Sequence, residues 1–264
     1  MGRIQSGKSV SNVVDLRNPI MPWENILWTP ELLFKGETVV CIASGPSLTP
    51  EICERIHKAQ IAGKCRVIVV NSSCTIAPWA DVLFFTDSGW YDARKDIVRN
   101  WPGLVVTMSR QAARELNAPG MPLKDGRSRV LRVKGCGDPD APPRVRVAPG
   151  VLPKVPGFPD LGSPEIQQGR SSGHTAVSLA IAMGAARVPL VGYDMRVVNG
   201  REHHHSEYKG PRDLAIYENE FQRAFRGWNE AALASGVEIL NCTHGSAVTE
   251  FPFADLEEAL SCAA

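Results

Sequence analysis

Three consecutive histidines, His203-His204-His205, are the side chains of this sequence best suited to acid–base chemistry. An imidazole exchanges protons near neutral pH, so one of the three could act as a general base. Neighbouring side chains diverge in any regular backbone, and the three rings therefore cannot all face one point. A metal site would need ligands from elsewhere, such as Asp194 or Glu207, because consecutive histidines lack the usual ligand spacing. An exposed polar loop is the third interpretation; we predict a general base and no metal site.

The stretch from Val39 to Leu48, VVCIASGPSL, has the pattern of a buried strand that turns sharply before a helix. A junction of this kind presents backbone N–H groups to a phosphate. The turn residues are therefore predicted to bind a ligand: Ser44, Gly45, Pro46 and Ser47. The other interpretation is a tight turn in which glycine relieves backbone strain.

A second junction of the same kind begins at Ser171, Ser172 and Gly173, which precede a helix of small residues. Ser172 could be the N-cap of that helix, a role that is compatible with ligand binding through the same N–H groups. The helix leads to a strand that delivers Asp194, which would either order the next loop or contact substrate. The two junctions together predict one nucleotide-type site.

Asn71 and Asp87 each come directly after a further predicted strand. Ligands of open parallel sheets bind in the crevice beyond the carboxyl ends of the strands, so both side chains are candidate ligand-binding residues. Each could instead cap a helix. The sequence contains no G-x-G-x-x-G, so the common dinucleotide fingerprint is excluded. Residues 2–9, GRIQSGKS, have the letters of G-x-x-x-x-G-K-[ST], but no predicted strand precedes them, and we therefore predict no P-loop there.

Short apolar runs separated by polar helical segments predict a single Rossmann-like, doubly wound α/β domain with a mostly parallel sheet. The strands are expected at residues 38–43, 66–70, 82–85, 104–107, 188–192 and 237–240. Helices are expected at residues 50–58, 176–183, 221–233 and 255–261.

The domain organisation follows from a change of composition along the chain. Residues 1–36 are polar and irregular and form a predicted N-terminal arm, with Trp23 and Trp28 packing it onto the body. Half of the 20 prolines lie between positions 119 and 164, a density that central strands and regular helices do not tolerate. We therefore predict one α/β nucleotide-binding domain, 37–264, with an irregular Pro-rich insertion at 116–168.

Composition excludes several classes of function. The net charge of +1 provides no global field for nucleic acid or an anionic membrane. No run of about 18 apolar residues is present, so no membrane span is expected. Seven cysteines without a C-x-x-C pair favour a reducing, cytoplasmic setting over a disulfide framework.

Several of these segments resemble a known family. VVCIASGPSL, Asn71 after the second strand, SSGHTAVSLAIAMGAARVPLVGYDM, the histidine loop and Asn241 after the last strand resemble glycosyltransferase family 42. That family consists of bacterial sialyltransferases that use CMP-activated sialic acid. The same turn and Ser-Gly segment resemble the wider MptE-like group, which includes pterin pyrophosphokinases and motility-accessory glycosyltransferases. Residues 241–260, at the end of the sequence, resemble small standalone members of this wider group that occur in phage and prophage genomes.

The resemblance implies a role for each matching residue. The nucleotide would be held by Gly45, Pro46, Ser47, Asn71, Ser172 and Gly173. One of the three histidines would be the base that acts on the acceptor hydroxyl, and Tyr208 would assist the departing phosphate.

Three functions are therefore carried forward. The first is a transferase that uses a nucleotide-activated donor, most readily a glycosyltransferase with a CMP-sugar or related donor, and it requires no cofactor. The second is an MptE-like pyrophosphokinase that uses ATP and Mg²⁺, with Asp87 and Asp194 as the metal-binding carboxylates. The third is a non-catalytic nucleotide-binding protein. The expected partner is a nucleotide or nucleotide sugar, and the sequence leaves the acceptor and a homo-oligomer open.

Overall fold

The structure of this chain, a computed structural model, describes residues 32–117, 130–132, 134–135, 165–166, 171–207 and 213–261. The strands are β1 (Val39–Ile42), β2 (Arg66–Val70), β3 (Val82–Phe85), β4 (Leu104–Thr107), β5 (Val130–Arg132), β6 (Lys134–Gly135), β7 (Glu165–Ile166), β8 (Arg187–Val191) and β9 (Glu238–Asn241). The α-helices are α1 (Pro50–Ile61), α2 (Ser88–Arg99), α3 (Arg110–Asn117), α4 (Ser172–Ala182), α5 (Trp228–Ala234) and α6 (Leu256–Leu260).

Seven of the described strands form one parallel sheet in the order β5-β4-β3-β2-β1-β8-β9. The chain runs outward from β1 to β5 and then returns to place β8 on the other side of β1. The sheet therefore has a topological switch point between β1 and β8, where ligands of open α/β sheets bind. Helices cover both faces, which confirms the predicted doubly wound α/β fold.

The register of β1 and β8 brings their two following loops together. Ile42 lies opposite Val191, so that both strands end at the same level of the sheet. The turn that follows β1 consequently lies beside Gly192. The backbone N–H of Gly45 donates to the carbonyl oxygen of Gly192 at 2.8 Å.

Alternation along the strands builds one apolar core on each face of the sheet. Val39 and Cys41 of β1 pack into the core that contains α4 and the ring of Trp228. Val40 and Ile42 pack into the opposite core, with residues of α1, α2, α3 and α6. Helix α4 is buried on every side from Gly173 to Ala182, which explains its small apolar residues.

The predicted helix at 221–233 is confirmed only from Trp228 onward, and its first half is wrong. The segment divides into a π-helix (Tyr217–Gln222), a 3₁₀ turn (Arg223–Phe225) and α5, with Gly227 in the left-handed region (φ 75°) before α5. An apolar period of 3.6 residues cannot reveal these breaks, because Phe225 and Trp228 still face the same core.

Three short strands lie within the predicted insertion, 116–168. β5 extends the main sheet beside β4, and β6 pairs in parallel with β7. No regular structure was expected there. The first two residues of the predicted insertion, 116 and 117, still belong to α3. Apart from these two and the three strands, its residues lie outside the described part of the chain, as do Trp23, Trp28 and Tyr208, so the domain boundaries stay a prediction. In the part of the chain that the structure describes, no helix is both long and apolar enough to span a membrane.

Candidate functional site

A cleft of about 490 Å³ opens at the carboxyl ends of β1, β2 and β3, against the N-terminus of α4. Eight of the predicted site residues line it. Four follow the strands: Ser44, Gly45, Asn71 and Asp87. Four come from the start of α4 and from the histidine segment: Ser171, Ser172, Gly173 and His203. Both predicted junctions therefore contribute to one site.

Close approach of two loops explains the glycine in the first turn. A Cβ on Gly45 would lie 1.9 Å from Asp194 Oδ2 and 2.4 Å from the carbonyl oxygen of Gly192. No side chain can occupy that space without a shift of the β8 loop. Gly45 is therefore required by this close approach and not by a left-handed backbone, and the turn also forms one wall of the cleft.

Asp194 connects the loops that follow β1 and β8. Its Oδ2 accepts hydrogen bonds from the Ser47 hydroxyl at 2.7 Å and from the Ser47 N–H at 3.4 Å. Burial raises the pKa of Asp194, and the Ser47 hydrogen bonds oppose that rise only in part. Of the two interpretations of Asp194, the structure supports the one in which it orders the loops.

The structure does not bring Pro46, Ser47 or Asp194 into the lining of the cleft. Ser47 instead lines a separate crevice at the ends of β8 and β9. The Asp87–Asp194 pair expected for Mg²⁺ is not united on one wall of the cleft, because the Asp194 carboxylate is turned toward Ser47. Sequence order could not reveal this orientation.

The N-terminus of α4 is capped by Ser171 rather than by Ser172. The Ser171 hydroxyl accepts from the His174 N–H at 3.2 Å, and Ser171 has extended backbone dihedrals (φ −130°, ψ 149°). The Ser172 hydroxyl instead shares a 2.7 Å hydrogen bond with the Thr86 hydroxyl at the end of β3. Because the first residues of α4 line the cleft, the positive end of the helix dipole faces it.

Tyr193 holds this helix end in place from beneath. Its buried hydroxyl donates to the carbonyl oxygen of Gly173 at 3.0 Å. A Cβ on Gly173 would lie 3.2 Å from the Tyr193 ring, so glycine allows the close contact between the helix and the β8 loop.

Asn71 lies in the left-handed region (φ 49°) directly after β2. Asparagine tolerates this conformation better than most residues with a side chain. Its Oδ1 atom is buried and has no hydrogen-bond partner among the described residues. The side chain lines the cleft and can therefore accept a hydrogen bond from a hydroxyl or amino group of a ligand.

Asp87 caps a helix, as one of its interpretations predicted, and it lies in the cleft wall, while its role in ligand binding stays a prediction. Its Oδ1 accepts from the Trp90 N–H at 2.7 Å, which confirms that it caps α2. It also lines the cleft. With Glu202 it places two carboxylates in the wall, while none of the described residues of that wall is a lysine or arginine. An anionic ligand group would therefore depend on hydroxyls, backbone N–H groups and the α4 dipole.

The three histidines occupy different environments, and His203 is the one that lines the cleft. The backbone N–H of His204 donates to Ser44, while burial lowers the pKa of the His204 ring to about 4. Burial also lowers the pKa of His205, whose ring stacks on that of His203. All three side chains are half-buried, so the exposed-loop interpretation is wrong. Among the described residues, no three His, Cys, Asp or Glu side chains are placed to share a metal ion.

The π-helix adds a wall that the sequence did not predict. The Tyr217 hydroxyl donates to Glu202 Oε2 at 3.2 Å, and the rings of Tyr217 and Phe221 meet edge to face with centroids 5.4 Å apart. All three residues line the cleft. The i, i+4 spacing of Tyr217 and Phe221 could have indicated that the two rings lie side by side. The same spacing is equally typical of a helix that faces the core, so it does not predict a cleft wall.

Comparisons with known proteins identify a fold but no family: no family model matches the chain, and no curated protein matches it. Among solved structures, the chain is similar to a MAf glycosyltransferase from Magnetospirillum magneticum AMB-1 (TM-score 0.53, 13% identity), over 91% of this chain and 37% of that chain. It is also similar to the sialyltransferase CstII from Campylobacter jejuni in complex with a substrate analogue, cytidine-5'-monophosphate. That match has a TM-score of 0.44 and 11% identity, over 87% of this chain and 88% of that chain.

The chain thus spans little more than a third of the MAf glycosyltransferase. At this identity the likeness concerns the fold alone. The chain has a glycosyltransferase-like α/β fold.

Proposed function

We propose that this chain is a transferase that uses a nucleotide-activated donor, most readily a CMP-sugar or a related nucleotide sugar, bound in the cleft beyond β1, β2 and β3. The observation that carries the proposal is the convergence of Asn71, the N-terminus of α4 and His203 on one cleft. The glycosyltransferase-like fold and the resemblance of the motifs to glycosyltransferase family 42 support it.

The donor phosphate binds at the start of α4, near Ser171 and Ser172. Backbone N–H groups, hydroxyls and the helix dipole stabilise the charge that grows on the departing nucleotide. Asn71 Oδ1 accepts a hydrogen bond from the nucleoside, which satisfies an atom that is otherwise buried without a partner. Phe221 and Tyr217 supply the apolar wall against which a base or sugar ring packs.

His203 is the general base. It takes the proton of the acceptor hydroxyl as that oxygen bonds to the anomeric carbon, while the bond from this carbon to the phosphate oxygen breaks. The nucleotide leaves with the bonding electrons. The His204 ring is a poor candidate, because a pKa of about 4 makes it a weak base. Tyr208 keeps its predicted role beside the departing phosphate, and Tyr217 offers a second phenol in the cleft wall.

The pyrophosphokinase interpretation is less well supported, because Asp194 does not join Asp87 in the lining of the cleft. A requirement for Mg²⁺ in nucleotide binding would nevertheless favour it. Tight nucleotide binding without turnover on any acceptor would favour the non-catalytic interpretation.

A thermal-shift panel tests the proposal. The panel contains CMP, UMP, AMP and GMP, CMP-sialic acid and representative UDP- and GDP-sugars, each with and without Mg²⁺. A ligand at 100 times its Kd stabilises the folded state by about 2.7 kcal/mol, a rise in Tm on the order of 5 °C. We expect a cytidine nucleotide to give the largest rise without Mg²⁺. If no compound in the panel raises the Tm, the cleft is not a nucleotide site and the proposal fails.

A further inference from the structure

Glu207 attaches the histidine segment to the body of the domain. Its carboxylate accepts a hydrogen bond from the Ser72 hydroxyl and a 2.6 Å salt bridge from Arg94 Nη2. Ser72 is fully buried in the 3₁₀ turn after β2, and its hydroxyl oxygen accepts from the Trp90 indole N–H at 2.9 Å. One carboxylate is therefore held by donors from two separate elements, the turn after β2 and helix α2.

The environment of Glu207 favours its charged form. Burial raises the pKa of the carboxyl, but the hydrogen bonds from Ser72 and Arg94 lower it by more, so the net shift is downward. Helix α2 is kinked at Arg94 (φ −134°, ψ 21°), the residue that reaches Glu207. A charged hydrogen bond to a partly buried carboxylate is stronger than a neutral one, which makes this a firm attachment.

His205 lies between this attachment and the cleft. Its Nδ1 accepts from the backbone N–H of Glu207 at 3.3 Å and lies 4.0 Å from Glu207 Oε2. Its ring stacks on that of His203, with centroids 5.1 Å apart and planes within 3° of parallel. Contacts therefore run from Glu207 through His205 to the imidazole that lines the cleft.

The segment is held on its other side by the first turn. The backbone N–H of His204 donates to the carbonyl oxygen of Ser44 at 3.0 Å. This bond fixes the backbone beside His203. The stack with His205 restricts rotation of the His203 ring itself, and the contacts of His205 with Glu207 restrict His205 in turn.

We propose that Glu207 is a positioning residue, which holds His205 against His203 and thereby fixes the orientation of the ring that faces the cleft. The effect of Glu207 on turnover rests on the proposed function, in which His203 is the base. The effect of Glu207 on the orientation of the His203 ring does not depend on that function. A displacement of about 1 Å in a reacting group can cost on the order of 100-fold in rate, so a loosened His203 would lower turnover.

Nitrogen-detected NMR spectra of the imidazole rings test the positional part without any substrate. The six histidines are assigned from single replacements, and the variants are Glu207→Ala, Glu207→Gln and Arg94→Lys. Glu230→Gln, an exposed site on α5, is the matched control for loss of one carboxylate. We expect Glu207→Ala to shift the ring signals of both His205 and His203, with Arg94→Lys giving smaller shifts. Signals of His203 in Glu207→Ala that move no more than those in Glu230→Gln would overturn the proposal.

Kinetics with the donor from the thermal-shift panel tests the catalytic part. We expect Glu207→Ala to lower kcat by roughly 10- to 100-fold with little change in the KM of the donor. Glu207→Gln should retain more activity, because its side-chain oxygen still accepts from Ser72. If the His203 signals move while kcat stays at the wild-type value in Glu207→Ala, the ring is positioned by Glu207 but is not the base, and the proposed role of His203 is wrong. A Tm for Glu207→Ala close to that of the wild type excludes unfolding as the cause of its lost activity; if that variant is unstable, the smaller loss in Glu207→Gln is compared at a Tm close to that of the wild type.

Discussion

The backbone N–H of His204 donates a 3.0 Å hydrogen bond to the carbonyl oxygen of Ser44. The two residues lie far apart in the sequence, yet the bond joins the histidine segment to the turn after β1. Because consecutive side chains point in different directions, the fixed backbone at His204 leaves His203 as the ring in the cleft. The three histidines look alike in the sequence, but this contact gives them different positions: His203 lines the cleft and His204 does not.

Replacement of His203 by Ala should abolish most of the transfer activity. Loss of a general base costs on the order of 100-fold or more in turnover, whereas nucleotide binding through α4 should be preserved. Initial rates and nucleotide-induced Tm shifts of the three single His→Ala variants provide the measurement. Full activity in all three variants would show that none of them is the base.

Asn71→Gly should separate ligand binding from backbone strain. Glycine relieves the left-handed conformation (φ 49°), so stability should stay the same or rise by up to about 1 kcal/mol. The Tm rise caused by nucleotide should nevertheless shrink, since the buried Oδ1 acceptor is lost. Asn199→Gly is the matched control, because Asn199 has a similar backbone (φ 51°) and does not line the cleft. An undiminished nucleotide shift in Asn71→Gly would remove Asn71 from the binding site.

Gly45→Ala should destabilise the fold more than Gly200→Ala. At Gly200 the added Cβ meets nothing within 4 Å, so the only cost is that of a left-handed alanine, about 1–2 kcal/mol. At Gly45 the Cβ would collide with a backbone oxygen at 2.4 Å, and the loop after β8 would have to move. Overpacking against backbone costs about 1–3 kcal/mol, and a contact as short as this one lies at or above the upper end of that range. Denaturant unfolding of both variants compares the two costs, and equal losses would refute the close-approach argument.

Stability should fall on acidification through the pH range in which His174 titrates. Burial lowers the pKa of His174 from 6.5 to about 4, so in this interval the unfolded chain binds a proton that the folded chain excludes. The free energy of unfolding is therefore unaffected by this group above pH 6.5 and decreases below it, by up to about 3 kcal/mol at pH 4.

Urea unfolding between pH 4 and 7.5 measures this dependence. The His174→Phe variant should be less stable at neutral pH, because the 3.0 Å hydrogen bond between Nε2 and the carbonyl oxygen of Ala224 is lost. Its stability should nevertheless depend less steeply on pH than that of the wild type. His244→Phe, at an exposed position, is the matched control for replacement of a histidine by an apolar ring. An unchanged slope in His174→Phe would contradict the assignment.

Much of the fold could be predicted because its signals are local. β2, β3 and β4 begin and end at the predicted residues, since each is a short apolar run bounded by polar residues. The first half of the 221–233 segment failed for the opposite reason. Its core-facing residues keep an apolar period through a π-helix, a 3₁₀ turn and a left-handed Gly227. The hydrophobic pattern therefore does not show where the helix is interrupted.

The sequence by itself determined the doubly wound sheet, the two glycine-containing junctions and the residue types available beyond the strand ends. These properties depend on hydrophobic period and backbone freedom, which neighbouring residues set. Only the tertiary structure decided that Ser171 caps α4, that Asp194 is engaged by Ser47, and that His203 rather than His204 faces the cleft. Each of these outcomes depends on which side chain meets a distant loop, and that is settled by the register of β1 against β8 and by packing across the sheet.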